Sequence, residues 1–241
     1  MKKTLGILGG MGPLASAEFL KTIYEFNSAK IEQEMPVCFL YSDPTIPDRT
    51  DAIVNELNSA LVHHFVEALG RLNLLGVTKI VIPCITIHHF LPKVPLPLRG
   101  KIISLVDLIL QEVVDSEEPC LLLCTNGALQ AGIFQYHHLW NLAEKHVIFP
   151  YEEQNTIHRL IYQIKREGIN ETVILFLDNL LKKYQVSSFI AGCTEIHLLT
   201  KYLIQQNNQS YFVVDPLLTI AKDLKQFLES RSEYRVLNSI N

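Results

Sequence analysis

Two stretches of the chain, 109 residues apart, repeat one another: Val77-Thr-Lys-Ile-Val-Ile-Pro-Cys84-Ile-Thr-Ile-His88 and Val186-Ser-Ser-Phe-Ile-Ala-Gly-Cys193-Thr-Glu-Ile-His197. Each is a β-branched, apolar run halted at Pro-Cys or Gly-Cys, the pattern of a strand buried on both faces of a parallel sheet. Parallel strands need helical crossovers, so the repeat restricts the chain to an α/β architecture with two similar halves. Open α/β sheets gather ligands outside the carboxyl ends of their strands. Both cysteines stand at such ends, which predicts one thiol on either side of a shared cleft.

The chain has 241 residues, enough for two lobes of ordinary size. Its 48% hydrophobic and 19% charged content predicts packed cores rather than disorder. A net charge of -4 without any basic run offers nothing to nucleic acid or to an anionic membrane surface. Five cysteines, Cys38, Cys84, Cys120, Cys124 and Cys193, make an odd set without framework spacing, which predicts reduced thiols and a cytoplasmic setting. Met1-Lys2-Lys3, an apolar run and Ala15-Ser16-Ala17 have the outline of a secretory leader. Gly6, Gly9, Gly10, Gly12 and Pro13 interrupt that run and suit a strand followed by a turn. Residues 119–143 lack formal charge, but Thr125, Asn126, Gln130, Gln135, His137 and His138 break any membrane span.

The order of elements recurs in both halves. A strand over 5–8, a glycine turn and a helix over 14–26 come first, with Pro13 suited to a first helical position. A strand over 36–41, a Pro-bounded loop over 42–50 and a helix over 55–75 lead to the first cysteine strand. Residues 91–100, with Pro92, Pro95 and Pro97, are the expected linker. The second half reads as strand 102–105, helix 106–114, strand 120–124, a turn from Thr125 to Ala128, strand 147–149, helices 152–167 and 172–184, then the second cysteine strand. A strand over 211–214 and a helix over 217–228 are expected to cross back to the first lobe. The expected lobes are therefore 1–98 with 213–241, and 99–212.

The glycine motif Gly6-x-x-Gly9-Gly10-x-Gly12 lacks dinucleotide-loop spacing, and no phosphate-loop lysine follows. It makes a tight turn, or it brings backbone amides at a helix start up to a carboxylate. Cys38, Cys120 and Cys124 read as small core residues, although Cys124 ends a strand and can face the cleft. Cys84 and Cys193 stand at strand-to-helix junctions, where a helix N-terminus lowers a thiol pKa. Cys84-x-x-x-His88 and Cys193-x-x-x-His197 also spell a Cys₂His₂ set, at a spacing unusual for structural zinc. A thiol hydrolase with one Cys-His pair is a further alternative, but it leaves one of two equivalent cysteines unused. Both histidines are expected on the following helices, in a core, capping or site role. Arg49, in its Pro-bounded loop, is the candidate anion clamp, because a guanidinium binds carboxylates in bidentate fashion.

Gly9-Gly10-Met11-Gly12-Pro13, Pro47-Asp48-Arg49, Pro83-Cys84 with Thr86 and His88, Gly192-Cys193-Thr194-Glu195, and Val214-Asp215 together resemble the aspartate/glutamate racemase family, in its aspartate racemase branch, over essentially the whole chain. The resemblance implies two flavodoxin-like lobes related by pseudo-twofold symmetry, a homodimer, a small amino acid as substrate, and neither pyridoxal phosphate nor metal. It implies that Cys84 and Cys193 exchange the α-proton of aspartate across the plane of the substrate. It assigns substrate binding to Met11, Gly12, Arg49, Thr86, Thr125, Lys165, Thr194 and Glu195, with Arg166 the alternative to Lys165 as second cation. Three positions depart from the family pattern: Ile85 replaces an Asn, Ala128 a Thr, and Phe134 a Tyr. Each removes a polar group from the region expected to hold substrate, and Ile85 is expected beside it. Other substrates of a related thiol enzyme, such as those of a broad amino-acid racemase, a maleate-isomerase-like enzyme or a decarboxylase, and a non-catalytic carboxylate- or metal-binding protein, remain open alternatives.

Overall fold

A computed structural model describes residues 3–208 and 210–230. The first half contains β1 (Thr4–Gly9), α1 (Pro13–Phe26), β2 (Val37–Ser42), α2 (Arg49–Val54), α3 (Asn58–Leu74) and β3 (Lys79–Val81), followed by a 3-10 turn over Thr86–Lys93 and α4 (Leu96–Arg99). Then come α5 (Leu105–Ser116), β4 (Cys120–Leu122), α6 (Asn126–Gln130), α7 (Trp140–Ala143), β5 (Val147–Ile148), α8 (Gln154–Glu167), α9 (Glu171–Tyr184) and β6 (Ser188–Ile190). The chain continues through α10 (Ile196–Gln205), β7 (Phe212–Val214), α11 (Pro216–Lys222) and α12 (Leu224–Glu229). Among the described residues no helix is long and apolar enough to cross a membrane.

The fold is α/β, with its parallel strands in two sheets ordered β2-β1-β3 and β5-β4-β6-β7. A parallel bridge between Ile80 and Ile102 extends the first sheet by one position. Each half therefore runs second, first, third, fourth across its sheet. This repeat corrects two expectations. Ile102, expected to open the second lobe, pairs with β3 and is buried in the first-half core. The strand over 212–214, expected to return to the first lobe, pairs with β6 instead. The last extended segment of each repeat pairs beside its own cysteine strand, and the return comes one element later, where α11 packs against α1 and α5. Residues 231–241 of the expected first lobe lie outside the described residues.

The expected linker is folded as well, with the prolines of 92–97 seated in the 3-10 turn and at the start of α4. The expected helix over 55–75 begins at Asn58, because Glu56 adopts φ 56 and breaks it from α2. Its core face is the expected one: Leu61, Phe65, Ala68, Leu69 and Leu72 are buried. His197 is on α10 as expected, whereas His88 is in a 3-10 turn that contains Pro92.

One apolar cluster belongs to both halves, joining Leu5, Ile7 and Phe19 to Leu122, Ile190, Val214 and Leu217. Ile85, Ala128 and Phe134 all lie in it. The three positions that depart from the resembled pattern thus share one apolar cluster. Ile85 is 1% exposed and its neighbour Cys84 belongs to a different cluster, so the side chain fills core and does not stand free in the cleft.

Two buried histidines tie the repeats in different ways. The Nδ1 of His88 lies 2.9 Å from the Cys84 carbonyl, and its Nε2 accepts from the Leu105 amide at 3.1 Å. With Nε2 accepting, Nδ1 carries the proton and donates it to Cys84. Burial pushes the ring down to about 4, which keeps it neutral. In the second half, His197 Nδ1 is 2.8 Å from Asp215 Oδ2 and Nε2 is 3.0 Å from Thr22 Oγ1 on α1. Asp215 also caps α11 by accepting from the amides of Leu217 and Leu218. This chain joins α1, α10 and α11 without exposure to solvent.

Two outcomes are expected. Ile85→Asn places an unsatisfied amide in shared core and should lower stability by roughly 2 kcal/mol, read as a shift of denaturation midpoint at constant m-value; an unchanged midpoint would place Ile85 in the cleft. Because the folded value of His88 lies below its ordinary 6.5, the stability from its neutral form is present above about pH 6.5 and lost as pH falls toward about 4. The loss is on the order of 3 kcal/mol, and His88→Gln should flatten that slope in denaturant titrations at pH 7 and pH 4.5.

Candidate active site

Both repeat cysteines lie buried at the carboxyl side of equivalent strands, Cys84 after β3 and Cys193 after β6. The residues flanking them touch: Thr194 Oγ1 donates to the Pro83 carbonyl at 2.9 Å, across the two halves. Cys84 is among the groups whose charge bears on Cys193, so the two thiols share one electrostatic environment. The junction does not lower the Cys193 thiol as expected from a helix start. Burial raises it well above its ordinary value, and the adjacent Glu195 carboxylate adds to the rise. The Cys193 thiol donates to Glu195 Oε2 at 2.8 Å.

Glu195 is 1% exposed, and its second oxygen, Oε1, has no hydrogen-bond partner among the described residues. That oxygen lies against the glycine turn. A Cβ on Gly12 would stand 2.4 Å from it, so any larger residue there would displace the carboxylate from this position. Gly10 is equally constrained: its φ is +95, and a Cβ would meet the backbone of Asp43 at 2.3 Å. The turn therefore makes room for charge, while its expected anion-holding amides are partly spent, the Gly10 amide donating to Ser16 Oγ at 3.2 Å.

Two cations face this carboxylate, one from each half. Arg49 opens α2 and is buried; its Nη2 donates to the Met11 carbonyl at 2.8 Å and its Nη1 to the Pro47 carbonyl at 3.0 Å. Its Nε has no partner, which leaves donor capacity toward the cleft. Burial works against the Arg49 charge, but Cys84, Asp48 and Glu195 outweigh it and raise its pKa. Lys165 behaves alike: burial opposes its charge, while Glu195 and the two cysteines hold it above its ordinary value. Lys165 is half-buried beside these charges, whereas Arg166 is 65% exposed and turned toward Glu167.

Thr86 and Thr125 meet across the halves at 3.0 Å between their hydroxyl oxygens. Thr125 also caps α6, accepting from the Ala128 amide at 3.2 Å. Two hydroxyls with one mutual bond keep one hydrogen to donate, and both are buried at the cleft. All ten residues named from the sequence therefore gather where the strand ends of the two halves meet. Cys124 is not among them: it lies in the shared core, and burial pushes its thiol up to about 12. Each nitrogen of His88 and His197 is engaged in the bonds described above, away from the thiols.

Sequence reasoning missed Asp48, Tyr162 and Gln154. Asp48 caps α2 directly before Arg49 and accepts from the Tyr162 hydroxyl at 2.8 Å. Gln154 is buried and donates to the Cys124 carbonyl at 3.0 Å, fixing the turn that carries Thr125. The available signal was Tyr162 three residues before Lys165, on the same helix face.

Residues 8–223 match the family model described as Asp/Glu/Hydantoin racemase. The broad specificity amino-acid racemase RacX of Bacillus subtilis is 23% identical over 207 residues, covering 83% of this chain and 88% of that protein. Among solved structures, the Picrophilus torridus aspartate racemase superposes with a TM-score of 0.75 at 22% identity, covering 95% of this chain and 100% of the other. A Francisella tularensis glutamate racemase in complex with D-glutamate gives 0.63 at 15% identity, over 94% and 81% of the two chains. The likeness in fold agrees with two-lobed racemases, and the family match spans nearly the whole chain: this protein belongs to the Asp/Glu/hydantoin racemase family.

Proposed function

We propose that this chain interconverts the enantiomers of aspartate by carrying the α-proton between Cys84 and Cys193. The observation that carries the reading is a pair of unpaired buried groups on residues that adjoin the two cysteines. Among the described residues, buried Arg49 Nε and Glu195 Oε1 have no hydrogen-bond partner, and burying such groups is costly unless a ligand completes them. An amino acid with an ammonium and two carboxylates matches that demand.

In this scheme a thiolate on one face takes the proton from the α-carbon, leaving its electron pair there. The opposite thiol gives its proton to the other face of that carbon, and the two sulfurs end with exchanged protonation. Cys193 rests as the thiol, held by Glu195. Arg49 and Lys165 bind the side-chain carboxylate, and the free hydroxyl hydrogen of the Thr86–Thr125 pair serves the α-carboxylate. The scheme calls on no pyridoxal phosphate.

A second reading has the same chemistry on a wider range of amino acids. It is favoured by the broad specificity named for the Bacillus subtilis relative.

Purified protein incubated with L-aspartate in deuterium oxide should yield D-aspartate carrying α-deuterium, read by chiral chromatography and mass spectrometry. Neither exchange nor inversion with any amino acid in a neutral, basic and acidic panel would defeat the racemase reading. Cys84→Ala and Cys193→Ala should each abolish inversion with the fold intact; one variant retaining near wild-type turnover sinks the two-thiol scheme. Arg49→Lys keeps the charge but loses the fork. It should cost about 2–4 kcal/mol in kcat/KM for aspartate and much less for a neutral substrate. Equal losses on both would assign Arg49 to the scaffold.

A further inference from the structure

His197 is wholly buried, second in α10 and four residues beyond Cys193, and its hydrogen bonds fix its charge. The Thr22 hydroxyl has a single hydrogen, which it donates to the Glu18 carbonyl at 2.8 Å. Toward His197 the Thr22 oxygen can then only accept, so Nε2, 3.0 Å away, carries a proton. On the other side of the ring, Nδ1 lies 2.8 Å from Asp215 Oδ2. Asp215 accepts through Oδ1 from the Leu217 and Leu218 amides. Burial opposes its charge, but His197, Thr200 and the Leu218 amide outweigh burial and hold the carboxyl below its ordinary value. A carboxylate has no hydrogen to give, so Nδ1 carries a proton as well. An imidazole protonated at both nitrogens is a cation. His88, which accepts the Leu105 amide, is the neutral counterpart in the first half.

Both N–H groups of the ring and both Asp215 oxygens are bonded, the condition under which a buried ion pair is tolerated. The other charged groups around the pair are matched too. Glu112 on α5, whose charge reaches Asp215, accepts from the Thr219 hydroxyl at 3.0 Å, and Lys201, one turn along α10 from His197, pairs with Glu25 on α1. We propose that His197 is an imidazolium and the positioning residue for the Cys193–Glu195 segment, holding the start of α10 against α1 of the opposite half. The first amides of α10 return to this segment, Ile196 donating to the Cys193 carbonyl at 3.0 Å and His197 to the Thr194 carbonyl at 3.1 Å. At its own start α1 follows Gly12, against which Glu195 Oε1 rests. The seating of α10 on α1 therefore sets the depth of Glu195 in the cleft and, through the 2.8 Å bond, the place of the Cys193 thiol. The effect on turnover rests on the racemase reading; the charge and the positioning do not.

Charge and positioning are read separately. In the ligand-free, nitrogen-15-labelled full chain at pH 7, both ring nitrogens of His197 should resonate in the protonated range, against one protonated and one bare nitrogen for His88. Thr22→Val keeps the shape of Thr22 and removes its oxygen, while Thr22→Ser restores the oxygen. In Thr22→Val the Nε2 of His197 loses its acceptor and should move to the bare range. Hydrogen exchange of the Ile196 and His197 amides should become about tenfold faster, the scale of one lost hydrogen bond, with α3 unchanged. Thr22→Ser should return both readouts to those of the unsubstituted chain. With aspartate, Thr22→Val should lower kcat about tenfold and leave KM within about twofold, because Arg49 and Lys165 keep their own supports. Should Thr22→Val fold poorly, Thr22→Ala removes the same oxygen and is read in the same way. A bare nitrogen on His197 in the unsubstituted chain, unchanged exchange in Thr22→Val, or an unchanged kcat in an active enzyme overturns the proposal. The doubly protonated signature and faster exchange in a protein that racemises no amino acid support the positioning and defeat the racemase reading alone.

Discussion

A carboxylate buried where the two halves meet sets the conditions for the rest of the structure. Glu195 is cut off from water, and a buried charge is tolerated only where opposite charge and hydrogen bonds surround it. Its opposite charges come from Arg49 in one half and Lys165 in the other. Neither half alone supplies both. Docking of the halves, the glycine at position 12 and the clamping of Arg49 by its own backbone carbonyls all follow from keeping that carboxylate where a thiol can reach it.

The repeat is close in backbone and broken in chemistry. Two residues beyond Cys84 stands a hydroxyl, Thr86; two beyond Cys193 stands a carboxylate, Glu195. Ser104 caps α5 in the first half, and Asp215 caps α11 in the second. His88 is neutral and bound to backbone, whereas His197 lies against a carboxylate. The two walls of the cleft thus differ in charge. The sulfurs hold equivalent places in the repeat, and their surroundings differ.

Much of this was legible in the sequence because the signals were local. The strand period, the Pro-Cys and Gly-Cys stops and the glycine turn placed both thiols and the turn of residues 9–13. The arrangement of sheets was less legible. Ile102 and Phe212–Val214 carry no mark of which sheet they join, since an apolar run reads alike beside either neighbour. Ile85 was misjudged for a related reason. Sequence proximity to Cys84 suggested the cleft, but successive residues after a strand point in different directions, and the side chain turned into shared core. Tyr162 escaped notice because its importance comes from Asp48, 114 residues away.

The bond from Thr194 to the Pro83 carbonyl has a mechanical meaning. It joins the residue after one cysteine to the residue before the other, so only a few covalent bonds separate it from either sulfur. The Tyr162 to Asp48 bond is a second tie between the halves. With the first tie set beside both cysteines, the contact that joins the halves is also the contact that fixes how the two sulfur-bearing strand ends stand to each other.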